Sequence, residues 1–136
     1  MADIISAQQP GPPSGEHALS EQETVALIEL MFFAYRDFVS DPDEILGQYG
    51  FGRAHHRVLH FVGRDPGMTV QQLLDILRIT KQSLGRVLKD LIARGLIEQR
   101  PGRRDRRQRL LRLTAEGETL HARLLTRQRS RMARAF

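Results

Sequence analysis

The chain has 136 residues and a net charge of +5, which is the length of one ordinary domain and enough chain to bury a core. The absence of cysteine excludes disulfides, thiolate zinc sites and a cysteine redox switch. The charge is divided unequally, since residues 1–50 carry −8 and residues 51–136 carry +13, so the C-terminal part is expected to attract polyanions.

The N-terminal region predicts no membrane segment. It lacks the basic stretch of a signal peptide. The longest apolar run, residues 25–35, is interrupted by Glu29 and is too short to span a bilayer. Residues 1–18 are rich in proline and glycine and predict a disordered tail. We therefore expect a cytoplasmic protein without a membrane partner.

The first helix is predicted over residues 21–40. Ser20 and Glu23 form a capping-box pattern at its start, and Asp41-Pro42 is expected to end it. Its apolar residues cover more than one face, so a second subunit is the expected cover. Residues 43–52 are predicted to be a connector with a short turn around Ile45-Leu46.

Three further helices precede the basic segment. The second is predicted over residues 53–62. Thr69 caps the third and Thr80 caps the fourth, and Gly95 ends the fourth. A short turn at Arg78-Ile79 joins the third and fourth helices. Two helices of about three turns joined in this way are a helix-turn-helix.

Residues 100–114 contain seven arginines and one acid, Asp105. An apolar stretch precedes this segment, and alternating leucine and arginine close it, which predicts a basic β-hairpin. The outgoing strand is expected at 96–100, the turn at 101–107 and the returning strand at 108–113. Thr114 then caps a last helix, whose apolar stripe continues to the final residue. A basic hairpin after a helix-turn-helix is typical of the wing of a DNA-binding protein.

This order of elements resembles the MarR family of bacterial transcription regulators over roughly residues 20–136. The motifs that carry the resemblance are residues 80–83 (Thr-Lys-Gln-Ser), 91–97 (Leu-Ile-Ala-Arg-Gly-Leu-Ile), 105–107 (Asp-Arg-Arg) and 111–117 (Leu-Arg-Leu-Thr-Ala-Glu-Gly). Residues 55–59 and 79–84 also resemble a narrower proteobacterial subgroup of the family. One departure is that the sequence ends before the further C-terminal helix that usually completes the dimer in this family.

The resemblance implies a mainly α fold with a small β-hairpin, in a MarR-type domain over residues 19–136. A winged helix-turn-helix lobe at 53–113 would lie between dimerisation helices at 19–40 and 115–136. The implied protein is a homodimer that binds a pseudo-palindromic operator in double-stranded DNA. Repression is the family default, and a small-molecule effector, often an aromatic acid or phenol, would release the DNA.

The fourth helix would lie in the major groove, where Gln82 suits adenine and Arg86 suits guanine or phosphate. Gly85 costs about 1 kcal/mol inside a helix, which indicates either close approach to DNA or tight helix packing. Arg107 would enter the minor groove, and Asp105 is expected to bond either Arg107 or hairpin amides. The alternative for each residue is a merely solvated position. The DNA-binding candidates are Thr80, Lys81, Gln82, Ser83, Gly85, Arg86, Lys89, Arg103, Arg104, Asp105, Arg106, Arg107 and Arg109.

The resemblance also implies a space for an effector. The effector-binding candidates are Phe33, Arg36, Tyr49, His55 and His56. The alternative is that the aromatic residues belong to the core and the histidines are surface or capping residues. Arg36 would meet an effector carboxylate or pair with a neighbouring acid, Asp37 or Glu29.

Other functions find less support in the sequence. His56 and His60 share a helix face, but two imidazoles are not a closed site, so neither a metal nor another cofactor is expected. A glycine-rich phosphate loop and a nucleophile motif are both missing, so the chain is predicted not to be an enzyme. The rival hypothesis is a nonspecific architectural nucleic-acid binder. It accounts for the arginine hairpin but does not explain the capped helix-turn-helix.

Overall fold

The computed structural model of the chain describes residues 18–135. Along these residues the elements are α1 (Glu21–Gly47), α2 (Arg53–Arg64), β1 (Met68–Thr69), α3 (Val70–Leu77), α4 (Lys81–Ala93), β2 (Ile97–Pro101), β3 (Arg109–Leu113) and α5 (Ala115–Ala135). The predicted tail at 1–18 lies outside the described residues, except for Ala18. None of the helices within 18–135 is long and apolar enough to cross a membrane.

The chain divides into two compact units, residues 1–37 and 38–136, and α1 begins in the first and ends in the second. In the first unit, α1 starts at the predicted capping box: the Ser20 hydroxyl accepts from the Glu23 N–H at 3.0 Å, and the Glu23 carboxylate accepts from the Ser20 N–H at 3.1 Å. Many apolar side chains of this helix are exposed, among them Val25, Leu27, Ile28, Leu30, Met31, Phe32, Phe33 and Tyr35.

The prediction that Asp41-Pro42 ends the first helix was wrong, because α1 continues through Pro42. Proline removes one backbone donor from a helix. However, the Pro42 and Leu46 side chains are fully buried in the second unit, and the Arg131 guanidinium of α5 donates to the Asp41 carboxylate at 3.1 Å. These contacts offset the missing hydrogen bond. The first part of the predicted 43–52 connector is therefore helical, and its expected turn holds the buried Ile45 and Leu46.

The second unit is built around one apolar core to which every remaining element contributes. Its buried residues include Leu46, Val58, Leu59, Val62, Met68, Leu73, Leu84, Leu88, Leu91, Leu96, Ile97, Leu111, Leu113, Leu120 and Leu124. The predicted caps of the helix-turn-helix are confirmed: Thr69 accepts from the Gln72 N–H and Thr80 accepts from the Ser83 N–H, both at 3.0 Å. Arg78 takes a left-handed conformation in the turn between α3 and α4, with φ of 54°.

The predicted hairpin is confirmed, but it is part of a three-stranded antiparallel sheet with the order β1-β3-β2. In the hairpin, Ile97 pairs with Leu113 and Pro101 pairs with Arg109. The third strand, β1, was not predicted. It consists of two residues that pair with Leu110 and Leu111 of β3, and so short a strand shows no periodicity in the sequence.

The junction between the wing and α5 explains why the motif at 111–117 contains threonine and, three residues later, glycine. The Thr114 hydroxyl accepts from the Gly117 N–H at 3.0 Å and donates to the Gly95 carbonyl at 2.6 Å. It therefore caps α5 and fastens it to the end of α4. A Cβ atom at Gly117 would collide with the Leu96 carbonyl oxygen, so only glycine allows this close approach.

Candidate nucleic-acid interface

Helix α4 presents one apolar face to the core and one polar face to solvent. Leu84, Val87, Leu88 and Leu91 are its buried residues. The exposed face carries five of the predicted DNA-binding residues, namely Lys81, Gln82, Gly85, Arg86 and Lys89. The remaining two candidates hold the start of the helix, because the Thr80 hydroxyl also donates to the Ser83 hydroxyl at 2.9 Å.

Gly85 lies in open space on this exposed face. A Cβ atom placed there would meet no described atom within 4 Å. The alternative explanation from the sequence, tight packing against another helix, is therefore wrong for the described part of the chain. A helical glycine costs about 1 kcal/mol relative to alanine, and no described neighbour requires a glycine at this position.

The tip of the wing is shaped by Asp105. Its carboxylate accepts from the Arg107 backbone N–H at 3.0 Å and from the Arg107 Nε at 3.1 Å, so both expected partners are present. These side-chain and backbone hydrogen bonds from Arg107 hold the pKa of the Asp105 carboxyl below its ordinary value. The Arg107 side chain remains 92% exposed, so its guanidinium is presented outward.

Backbone contacts complete the tip. The Gly102 N–H donates to the Gln108 carbonyl at 2.9 Å, and the Gln108 N–H donates to the Asp105 carbonyl at 3.1 Å. A Cβ at Gly102 would lie 2.5 Å from that Asp105 oxygen, which requires glycine here. The remaining predicted wing residues, Arg103, Arg104, Arg106 and Arg109, are all exposed. The tip is therefore a defined turn that displays exposed arginines.

The exposed face of α4 adjoins the first strand of the wing. A shallow groove between them is lined by Gly85, Leu88, Lys89, Ile92, Ala93 and Gln99. Sequence reasoning missed Gln99, and it also missed Arg100 and Arg112 on the outer face of the hairpin. Arg112 alternates with the buried Leu111 and Leu113, so the period of two was a signal that could have identified it.

The effector-binding candidates fall in both units. In the first unit, the Arg36 guanidinium lies 5.1 Å from the centroid of the Phe33 ring and forms the ion pair with Asp37, at 3.4 Å, that was one predicted alternative. In the second unit, His55 has both ring nitrogens hydrogen-bonded and His56 is half-buried.

Three histidines gather where α5 packs on α2. The His60 and His121 ring centroids are 5.9 Å apart, and the His121 ring lies close against Gly63. Burial, and to a lesser degree the nearby positive charges, lowers the pKa of His56 and of His60, and burial lowers that of His121. Within residues 18–135, no group of three or more histidine, aspartate or glutamate side chains is placed to hold a metal ion.

A capped helix-turn-helix followed by a basic β-hairpin defines the winged helix-turn-helix class of DNA-binding proteins. The MarR family pattern matches residues 49–108. The chain is also 52% identical over 128 residues to the HTH-type transcriptional regulator PetP of Rhodobacter capsulatus, which covers 93% of this chain and 77% of that protein. The chain therefore belongs to the MarR family of transcriptional regulators. The similarity to PetP also confirms the narrower subgroup suggested by residues 55–59 and 79–84.

Solved structures support the same fold. Streptococcus pneumoniae FabT in complex with DNA matches with a TM-score of 0.68 and 21% identity, over 82% of this chain and 80% of that one. A mutant of MarR from E. coli, complexed with operator DNA, matches with a TM-score of 0.59 and 23% identity, over 76% and 74%. A SlyA-like regulator from Listeria monocytogenes matches with a TM-score of 0.65 and 20% identity, over 86% and 74%.

Proposed function

We propose that the protein is a cytoplasmic transcriptional repressor that binds a pseudo-palindromic operator in double-stranded DNA as a homodimer. One observation carries the proposal: the exposed face of α4 and the arginine-rich wing adjoin along the groove that contains Gly85 and Gln99. A helix that reads base edges and a basic wing that follows the backbone would then engage the same site. FabT and MarR, which share this fold, have each been crystallised with DNA.

In this proposal the residues divide into two roles. Gln82 and Arg86 on the exposed face of α4 read bases in the major groove, and Gly85 lets the helix approach closely. Arg107 enters the minor groove, where narrow A·T tracts concentrate negative potential. The other exposed arginines of the wing contact phosphates without reading sequence.

The homodimer is supported by the exposed apolar side chains of the first unit. Met31 is 71% exposed and Phe32 is 68% exposed, and such neighbouring apolar residues favour an interface. Light scattering is expected to give twice the monomer mass. The double variant Met31→Lys/Phe32→Lys is expected to shift the protein toward monomer, whereas Gln22→Lys, an exposed polar position on the same helix, is the matched control. A monomer at micromolar wild-type concentration would contradict the dimer.

A small aromatic effector is proposed to release the DNA. The Arg36 guanidinium supports this idea, because it is exposed beside the Phe33 ring and is bound only at the surface by Asp37. Cation and ring together suit an aromatic carboxylate. A panel of small aromatic acids and phenols is expected to include one that raises the operator Kd of the wild type but not of Arg36→Gln. Equal responses in both proteins would contradict a role for Arg36.

The experiment that tests the main proposal is selection of bound sequences from a randomised duplex pool, followed by affinity measurements at two salt concentrations. We expect a pseudo-palindrome with A·T-rich flanks and an affinity for it roughly a thousandfold or more above that for scrambled duplex. Arg123→Ala removes an exposed arginine on α5 and is the matched control for variants that remove an arginine of the wing. No enriched sequence, with steep salt dependence throughout, would instead support the nonspecific architectural binder.

A further inference from the structure

We propose that three stacked rings position the recognition helix α4 for sequence-specific binding. The rings belong to Tyr49, Phe51 and His55, which lie in and after the link between α1 and α2. Asp90 and Arg94 at the end of α4 bind the two outer rings, and we call these five residues the ring clasp. The inference rests on the proposed function, because it assigns the ring clasp an effect on operator recognition. None of the five clasp residues is itself proposed to contact DNA.

The contacts of the ring clasp form a closed circuit. The Phe51 and His55 rings stack with centroids 4.4 Å apart, and the Tyr49 and Phe51 rings stack at 5.8 Å. At one end the His55 Nε2 lies 2.9 Å from the Asp90 carboxylate. At the other end the Arg94 guanidinium lies 4.9 Å from the Tyr49 centroid. Asp90 and Arg94 are four residues apart, so both ends of the circuit meet the same turn of the helix.

His55 is the fixed point of this circuit. Its Nδ1 accepts from the Gly52 N–H at 3.1 Å, so the proton is on Nε2, which donates to Asp90. The side chain is only 15% exposed. One imidazole therefore caps the start of α2, stacks on Phe51 and holds the end of α4. No other contact described for the polar side of α4 ties it to α2 in this way.

The clasp fixes the direction of α4, which the apolar core alone does not fix. Burial of leucine side chains sets how deeply α4 sits, but apolar contacts are non-directional. A hydrogen bond and a stacked cation fix the direction of the last turn, and a binding site needs its supporting contacts to hold side chains to within about half an ångström. Asp90 and Arg94 follow the base-reading candidates along α4, so a change at Asp90 tilts the reading face without removing one of its members.

The clasp also contains two of the effector-binding candidates, Tyr49 and His55. A ligand that displaced either ring would release one end of the circuit from α4. The change would reach the reading face of the helix while every DNA-contacting side chain stayed in place. Positioning by the clasp thus gives a ligand bound at these rings of the second unit a physical route to the operator.

The test compares Asp90→Ala with Asp90→Asn. Both variants remove one negative charge, but asparagine keeps an acceptor for the His55 Nε2–H. We expect the ratio of operator to scrambled-duplex affinity to fall about tenfold in Asp90→Ala and to stay at the wild-type value in Asp90→Asn. The slope of affinity against salt should be the same in both, since no phosphate contact is lost. Adding His55→Ala to Asp90→Ala should lower the ratio by less than His55→Ala lowers it in the wild type, because the shared bond is already broken.

Three outcomes would overturn the proposal. Equal ratios in the two variants would mean that Asp90 acts only through its charge. An unchanged ratio in Asp90→Ala, with a lower Tm alone, would mean that the clasp merely stabilises the fold. Amide hydrogen exchange without DNA gives the third: it should become faster at residues 90–94 of Asp90→Ala but not of Asp90→Asn, and equal exchange there in Asp90→Ala and the wild type would overturn the clasp. If the wild type selects no operator, the proposed function fails, and the exchange measurement alone still supports or overturns the clasp.

Discussion

The recognition helix and the wing reach the same exposed side of the second unit, but they are held in different ways. Helix α4 is anchored by four buried apolar side chains, by the Thr80 cap at its start and by the ring clasp at its end. Among the described residues, the wing tip is held by hydrogen bonds within itself, chiefly those between Asp105 and Arg107. Rigid placement suits the reading of base edges, whereas a locally shaped, highly charged tip suits a groove whose width varies with sequence.

The comparison predicts that the two regions fail differently. A change in α4 should alter which sequence is bound, because base contacts carry the sequence information. A change among most wing arginines should alter how strongly any duplex is bound.

The largest effect is expected from Gly117→Ala. The new Cβ would strike the Leu96 carbonyl oxygen, which also accepts from the Thr114 N–H at 3.0 Å, so the joint between α4, the wing and α5 must open. We expect a loss of about 3 kcal/mol in the free energy of unfolding. Urea unfolding measures it, with Gly85→Ala as the matched helical control. A loss below about 1 kcal/mol would show that the joint is not fixed.

The next prediction separates two arginines of the wing. Arg107→Ala is expected to lower operator affinity by about tenfold or more, because Arg107 is proposed to read the minor groove. Arg104→Ala should weaken operator and scrambled duplex alike and reduce the salt slope by about one unit. Titrations at several salt concentrations measure both. Equal small effects from the two variants would contradict the division of roles within the wing.

Gly85→Ala should have opposite effects on folding and on binding. Alanine in a helix is about 1 kcal/mol more favourable than glycine, and its Cβ meets no described neighbour, so the Tm should rise. The same methyl group would hold α4 away from the major groove, so operator affinity should fall. Thermal unfolding and operator titration of one preparation test both signs. A variant that is more stable and binds as tightly as the wild type would leave Gly85 without a role at the interface.

Acid is expected to act on the α2–α5 contact. The folded pKa values of His56, His60 and His121 lie below the ordinary 6.5, chiefly because of burial. Asp43 beside His56 and Glu118 beside His121 oppose the shifts, and Arg64 adds to that of His60. The unfolded chain thus binds protons more readily, so stability is complete above about pH 6.5 and decreases as the pH falls below it.

The measurement is the Tm between about pH 7.5 and about pH 5.5, above the range in which carboxylates titrate. We expect a lower Tm at the acid end and a smaller decrease in the variant that replaces all three histidines by glutamine. A Tm that does not change between these values would show that the three imidazoles are not buried together. If operator affinity follows the Tm, operator binding depends on the packing of α5.

Much of the fold was readable because short-range chemistry decides it. The threonines at 69, 80 and 114 each precede a helical apolar pattern, and each proves to be a cap. Gly95 ends α4 with φ of 79°, a conformation that glycine adopts without strain. The Asp105–Arg107 bond was also predictable, because the two residues are separated by one position in a tight turn.

What the sequence did not reveal depends on distant partners. Pro42 predicts a helix end, but α1 continues through it. The core covers this turn of the helix, and Arg131, which binds the neighbouring Asp41, is 90 residues away from it in the sequence. The sequence left His55 as either an effector-binding residue or a surface or capping residue, and it does cap α2, but its bond to Asp90 joins residues that no local pattern connects. Two-residue strands such as β1 likewise have no sequence period and arise from pairing alone.

The most direct test of the central claim repeats the selection from a randomised duplex pool with two variants, Gln82→Ala in α4 and Arg107→Ala in the wing. The account predicts that Gln82→Ala loses preference at positions in the operator half-sites and keeps the A·T-rich flanks, whereas Arg107→Ala keeps the half-sites and loses the flanks. Loss of preference at the same positions in both variants would contradict the separate roles of the recognition helix and the wing.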